Sequence, residues 1–184
     1  KRRISALALY RTNTGSDVGA TPIAESLGAP AAAAVNAVHV AFAGNDAARP
    51  FPGAFTDPDV PRKLSVTFAA GWDGGDVTVI GLDQFGDAQT EVFADVAGTT
   101  VNGTKVFESV ASASKELVGV DPAAARIGTL DALGLSVALV VPVGVVGVDG
   151  LTEAGTWDAV AHSVEPTTAC NGAKLFAVQY VGAV

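Results

Sequence analysis

The chain has 184 residues and a formal net charge of −8, with 49% hydrophobic, 7% aromatic and only 16% charged residues. A chain of this length hides roughly 70% of its unfolded surface on folding, so neither a metal nor a disulfide is required for stability, and the single cysteine, Cys170, rules out an internal disulfide. Lys1, Arg2, Arg3 and Arg11 carry +4 before any acid appears, which leaves −12 for the rest; a body this acidic argues against nucleic acid, whose binding rests on neutralising phosphates.

Residues 4–10 alternate, with Ile4, Ala6, Ala8 and Tyr10 on one side, and predict a first strand. The apolar part of this opening stretch is too short for a secretory h-region. Residues 12–30 are rich in Gly, Ser, Thr, Asp and Pro and predict an extended surface loop or interaction arm. Residues 31–43 begin with an alanine run that favours helix and end with alternating Val38, Val40 and Phe42, predicting a short helical or irregular start and a strand over 37–43. Four prolines between residues 44 and 62 mark a second long loop.

Residues 61–113 are the most regular part of the chain. Period-two runs over 63–69, 77–82, 90–96 and 101–110 are separated by Gly-, Asp- and Asn-rich turns, the signature of antiparallel strands with one covered face. Asp121 followed by Pro122 predicts one capped helical turn over 121–125. Further strands are expected over 126–129, 135–141, 145–148, around 156–160, and over 175–181, where both faces are apolar as in a central strand. The uncharged run 132–148 is marginal in length for a membrane span and contains Pro142 and three glycines, so it reads as two buried strands joined by a Pro-Gly turn.

Chemistry-bearing residues are sparse. Nucleophilic catalysis needs Ser or Cys within reach of an oriented base, and neither histidine has such a context: His39 lies on an alternating strand and His162 is separated from Cys170 by turn residues. Asp73, Asp76, Asp83 and Asp87 are the only candidates for a calcium site, but their spacing fits no EF-hand and the neighbouring glycines serve turns. No Walker loop, dinucleotide fingerprint or metal-ligand spacing is present. The expectation is a non-enzymatic protein without cofactor or metal.

The runs P-R-K-L-S-V-T-F (61–68), V-T-V-I-G-L-D-Q-F-G-D-A-Q-T-E (77–91) and T-K-V-F-E-S-V (104–110) resemble tailed-bacteriophage virion proteins. So do I-G-T (127–129), L-G-L (133–135), V-D-G (148–150) and P-T-T-A-C-N-G (166–172) ahead of F-A-V-Q-Y (176–180). The likeness spans residues 34–181. It implies a virion structural role as a capsid decoration or cement protein, assembled in the host cytoplasm and placed on the capsid surface. Two stretches depart from it: 139–148 is more apolar than the expected polar loop, as a buried interface would be, and 12–30 has no counterpart.

The predicted fold is mainly β: an antiparallel β-sandwich, jelly-roll or Ig-like, with long N-terminal loops and little helix. Residues 1–30 form an N-terminal strand and arm, and 31–184 the sandwich, with a sub-boundary near 120–130. The expected partners are the major capsid protein and further copies of this chain, a trimer matching a local three-fold point of a shell, with no nucleic acid and no membrane. The candidate capsid contacts are Lys1, Arg2, Arg3 and Arg11 on the basic arm, and Phe51, Phe55 and Arg62 in the Pro-rich loop. The rival readings are a receptor- or glycan-binding module of a virion fibre, with Trp72 and the nearby aspartates as its site, and a minor head-tail or tail component.

Overall fold

A computed structural model describes residues 20–183, and every regular element in them is a β-strand. In chain order these are β1 (Ala20–Gly28), β2 (His39–Ala43), β3 (Arg62–Phe68), β4 (Val77–Leu82), β5 (Ala88–Phe93), β6 (Thr100–Phe107) and β7 (Ser109–Lys115). They are followed by β8 (Ala124–Gly134), β9 (Leu139–Val148), β10 (Leu151–Glu153), β11 (Gly155–Asp158), β12 (Ser163–Pro166) and β13 (Phe176–Ala183). All pairings are antiparallel, and the fold is mainly β and sandwich-like.

Three sheets form: β1-β13-β9-β10, β11-β12-β8-β3-β6 with β2 also on β8, and β5-β4-β7. β8 is the shared element. One of its edges pairs along β3, while the other takes β2 at Ala124, Ala125 and Ile127 and β12 at Leu133 and Gly134. Its two halves therefore feed two hydrophobic clusters. The first lies between β3, β6 and β8 and the β5-β4-β7 sheet and contains Phe42, Leu64, Phe68, Val79, Phe93 and Phe107. The second lies under the β1-β13-β9-β10 sheet and contains Leu133, Leu139, Val146, Val164, Phe176 and Tyr180. Each such side chain removed from water stabilises by about 1.5–3 kcal/mol.

Turn chemistry explains the hairpins. Asp83 Oδ1 accepts the N–H groups of Phe85 and Asp87 at 2.8 and 2.9 Å, closing the β4–β5 turn with Gly86 at φ 83°. Asp149 and Gly150 both have positive φ, 50° and 81°, the two-residue geometry whose twist suits the β9–β10 hairpin.

Several local expectations are corrected. Residues 20–28, expected in a loop, form the edge strand β1 on β13; Ile23, Glu25 and Leu27 turn inward, and Pro22 is tolerated because edge positions need no second N–H. Residues 31–36 take the irregular and not the helical of the two expected forms: they run against β8, where Thr129 N–H donates to Ala34 O and a side chain at Gly128 would collide with the Ala34–Val35 backbone. Asp121 caps no helix; its carboxylate accepts Ala123 N–H at 2.7 Å and the chain goes straight into β8. The single run 101–110 is two strands on different sheets, divided at Glu108, whose N–H donates to Leu82 O.

Residues 139–148 are one strand and not two. Gly182 pairs with Leu139 and Tyr180 with Gly144, so β9 carries three extra residues there, and Pro142 sits in this bulge where its missing N–H breaks no ladder. No helix among the described residues is long and apolar enough to cross a membrane. β13 lies between β1 and β9, as its two apolar faces predicted. The strand expected over 4–10 lies outside the described residues.

Candidate functional site

The loop 44–61 folds back onto the first cluster and does not project. Phe51 is 5% exposed and stacks on Phe42 at 4.3 Å between ring centroids. Phe55 is half-buried and packs on the His39 ring at 4.8 Å. Arg62 is 0% exposed; its Nη1 donates to Ala31 O at 3.1 Å, and its Nη2 lies 3.2 Å from Asp59, close enough for an ion pair but not aligned for a hydrogen bond. Phe51 and Arg62 are therefore corrected from surface contacts to core residues. The physical reason is position: the loop lies along the edge of β7, where Phe51 N–H donates to Ala113 O, and Arg62 opens β3 between Phe107 of β6 and Leu133 of β8. Lys1, Arg2, Arg3 and Arg11 lie outside the described residues.

The residues weighed for chemistry are tied into structure. His39 is buried with Nδ1 2.6 Å from Val40 O and Nε2 3.0 Å from Pro52 O, so it fastens the Pro-rich loop to β2. His162 Nδ1 accepts Leu139 N–H at 3.0 Å. The Cys170 thiol is buried, and burial, followed by the nearby Asp131, pushes it up to about 12, which keeps it protonated and poorly nucleophilic.

Trp72 is buried at 3% exposure, its indole N–H donating to Gly75 O, so it is no aromatic platform for a glycan. The aspartates around it do not converge. Asp73 accepts Val120 N–H at 2.7 Å, Asp76 accepts Asp95 N–H at 2.8 Å, and Asp83 closes its own turn. Burial, then Asp76 and Asp73, pushes the Asp95 carboxyl above the usual range. No group of three or more metal-ligating side chains gathers among the described residues.

A groove of about 420 Å³ lies between the 83–87 turn, β6 and the 158–162 turn. Phe85 stands at its mouth, its ring 5.6 Å from that of His162. Its polar groups are already engaged: Gln84 Nε2 donates to Ala161 O at 2.9 Å, Lys105 Nζ to Thr90 O at 2.6 Å, and Asp158 takes Lys63 at 2.7 Å. The groove is a packed joint between the two halves of the molecule.

The surface that stands out is the outer side of β5-β4-β7. Val77, Val79 and Phe93 point into the core, so Thr78, Ile80 and Leu82 of β4 and Thr90 and Val92 of β5 point out. In register, Thr78 lies between Val92 and Ser114, Ile80 between Thr90 and Ser112, and Leu82 between Ala88 and Ser109. All nine side chains are uncharged, and Ile80, Leu82 and Val92 are 44%, 40% and 58% exposed. Period two over residues 77–82 puts Ile80 and Leu82 on one side and implies one uncovered face; theirs is the uncovered one. Such a row of methyls framed by hydroxyls, on a body whose charge is otherwise acidic, can exclude water against another flat surface.

A scan against protein-family models matches none, and searches of curated proteins and of solved structures give no match.

Proposed function

We propose that this chain is a non-enzymatic virion structural protein that binds the outer surface of an assembled phage capsid and cements neighbouring major capsid subunits. The observation that carries the reading is the uncharged outer face of β5-β4-β7. Two further features support it: the sequence likeness to phage virion proteins, and a scaffold in which both histidines and the thiol are spent on structure.

The size of the face suits a lattice. Three strands of six residues cover about 300 Å² at ~4.8 Å between strands and ~3.3 Å per residue, well below the ~800 Å² per partner of a stable interface. One such contact is weak, but copies linked to one another on a repeating shell gain from effective concentration. A protein that binds the assembled lattice and not free subunits then stabilises the lattice by mass action. The basic residues Lys1, Arg2, Arg3 and Arg11 offer a second contact, to acidic shell surface.

The test is occupancy of undecorated shells. Ile80→Glu places a charge in the centre of the face without touching the core, and at least a tenfold loss of occupancy is expected; unchanged binding overturns the assignment of this face. Deleting residues 1–11 tests the basic arm in the same way. Copy number per particle separates the shell role from a head-tail or tail ring: hundreds fit the first, six or twelve the second. The fibre reading has lost Trp72 as its platform, and a glycan array is expected to be blank.

A further inference from the structure

We propose that the outer face of the β1-β13-β9-β10 sheet is a self-association surface on which two copies of this chain pack face to face about a two-fold axis. The inference is independent of shell docking, which uses a different sheet.

The face follows from strand alternation. Leu27, Val146, Val148, Phe176, Val178 and Tyr180 point into the second cluster. Their neighbours therefore point out: Ala24 and Ser26 on β1, Ala177 and Gln179 on β13, Val145 and Gly147 on β9. They are in register as two rows, Ala24-Gln179-Val145 and Ser26-Ala177-Gly147, the second ending at Thr152 of β10. Small side chains make this part a hollow of about 280 Å³.

The same face carries a knob. Gly144 turns inward onto the Trp157 ring, so Val143, like Val145, points out, and the three-residue bulge leaves Val140, Val141 and Val143 exposed. Knob and hollow lie on one strand, four residues or about 13 Å apart. A two-fold axis near the Gln179–Val145 pair places the knob of each copy over the hollow of the other, the self-complementary relation an isologous interface requires.

Charge and area select a second copy as the occupant. Copies at −8 repel wherever acids face each other, and among the described residues no carboxylate projects from this face: Glu25 borders the hollow but turns inward to accept the Tyr180 hydroxyl at 3.0 Å, and Glu153 is engaged with Thr168. Three strands paired over about eight residues, with β10 beside them, offer about 450 Å² per copy, so a pair removes about 900 Å², close to the ~1,000 Å² threshold of a specific contact. The β5-β4-β7 face, at about 300 Å², falls well short of it. A flat face meeting itself closes a dimer, whereas a trimer needs two different surfaces.

Sedimentation equilibrium of the full chain tests this. A monomer–dimer equilibrium is expected with a dissociation constant on the order of 10–100 µM, tightening as salt screens the like charges. Gly147→Glu is suitable because a Cβ there meets only Ala177 O at 3.6 Å and Leu151 O at 3.8 Å; it and Ala177→Glu should each weaken the dimer at least tenfold with unchanged thermal melting. Thr78→Glu, on the other face, should leave the dimer intact. A strictly monomeric chain, a trimer, a dimer indifferent to both substitutions, or one lost only on removing residues 1–19 overturns the proposal.

Discussion

The two halves of the molecule close their β-structure by different means. Around the first cluster, no backbone ladder joins β5 to β6; side chains bridge the gap. The buried Glu91 carboxylate accepts the N–H groups of Thr104 and Lys105 at 2.6 and 3.2 Å and the Thr104 hydroxyl at 3.0 Å, while Gln89 Nε2 donates to Val106 O. At the far side of β7, the Lys115 ammonium donates to the carbonyls of Ala43, Gly44 and Asp46 and lies 5.2 Å from the Phe42 ring centre. In the β1-β13-β9-β10 sheet over the second cluster, the strands are joined by backbone pairing along their length, interrupted only at the bulges near Gly28 and in β9. A ladder spreads its loss over many bonds, whereas a charged bridge concentrates it: removing one side chain breaks several charge-assisted bonds at once.

The largest expected effect is therefore at Glu91. Glu91→Ala removes the acceptor of three part-buried hydrogen bonds from Thr104 and Lys105 and should cost about 2–4 kcal/mol in urea unfolding, since bonds to a charged group carry ~1.5–3 kcal/mol each and these exposed residues recover part of that from water. Glu91→Gln, which keeps one acceptor oxygen, should cost clearly less. If Glu91→Ala costs under about 1 kcal/mol, the seam is not held by this carboxylate and the contrast between the halves fails.

Next comes Lys115→Met, which keeps the stem but takes the ammonium from three carbonyls, at about 1–3 kcal/mol; Ala43 O and Gly44 O keep the N–H groups of Asp46 and Gly119, which limits the loss. Lys115 also has a pH signature. Burial lowers its pKa, against the opposing pull of Asp46 and Asp73, so between that lowered value and 10.5 the unfolded chain holds more protons than the folded one. Stability from this group should rise with pH across that window, and the slope should vanish in Lys115→Met.

Tyr180→Phe probes the second half and should cost about 1–2 kcal/mol, the net worth of two hydrogen bonds, the hydroxyl donating to Glu25 and accepting the Val137 N–H. Burial and then Glu25 push the Tyr180 phenol up to about 12 from 10.0. Between those values the folded chain holds the extra proton, so the stabilisation is complete below pH 10 and is lost as pH climbs towards 12. A stability profile lacking that decline, or one unchanged by Tyr180→Phe, would show that the pair contributes nothing.

The same contrast governs what was legible in the sequence. The β4 run 77–82 was readable to the residue, and β3 to within one, because a sheet with one covered face imposes period two on its side chains. The misread stretches owe their state to partners distant in sequence. β1 was hidden because its strand character rests on three inward residues and on β13, about 155 positions away, while its Pro and Ser read as loop. The division of 101–110 at Glu108 reflects two different sheets competing for its ends, which no local pattern encodes. Arg62 and Phe51 were placed outside because loop composition suggests exposure; their burial follows from the first core and from β7's open edge, both assembled from remote segments. The exposed β5-β4-β7 face was half visible, since Ile80 and Leu82 share a side and the alternation implies one uncovered face, but which of β4's two apolar sides is covered depends on β3, β6 and β8.

The smallest expected effect lies where the two halves meet. Lys63 on β3 pairs with Asp158 on β11 at 2.7 Å, with the Asp158 side chain 35% exposed. Burial raises the Asp158 carboxyl, but the hydrogen bond from Lys63 and those from the N–H groups of Ala161 and Val160 outweigh it and leave the carboxyl below its ordinary 3.8. Its contribution is thus present above pH 3.8 and lost as pH falls through the lowered value. A half-open pair is screened by water and salt, so Lys63→Ala should cost about 0.2–1 kcal/mol and the difference from wild type should shrink in 1 M salt, where the screening length is only ~3 Å. A loss as large as that of Glu91→Ala would mean that this joint, and not the β5–β6 seam, is where the molecule is most easily opened.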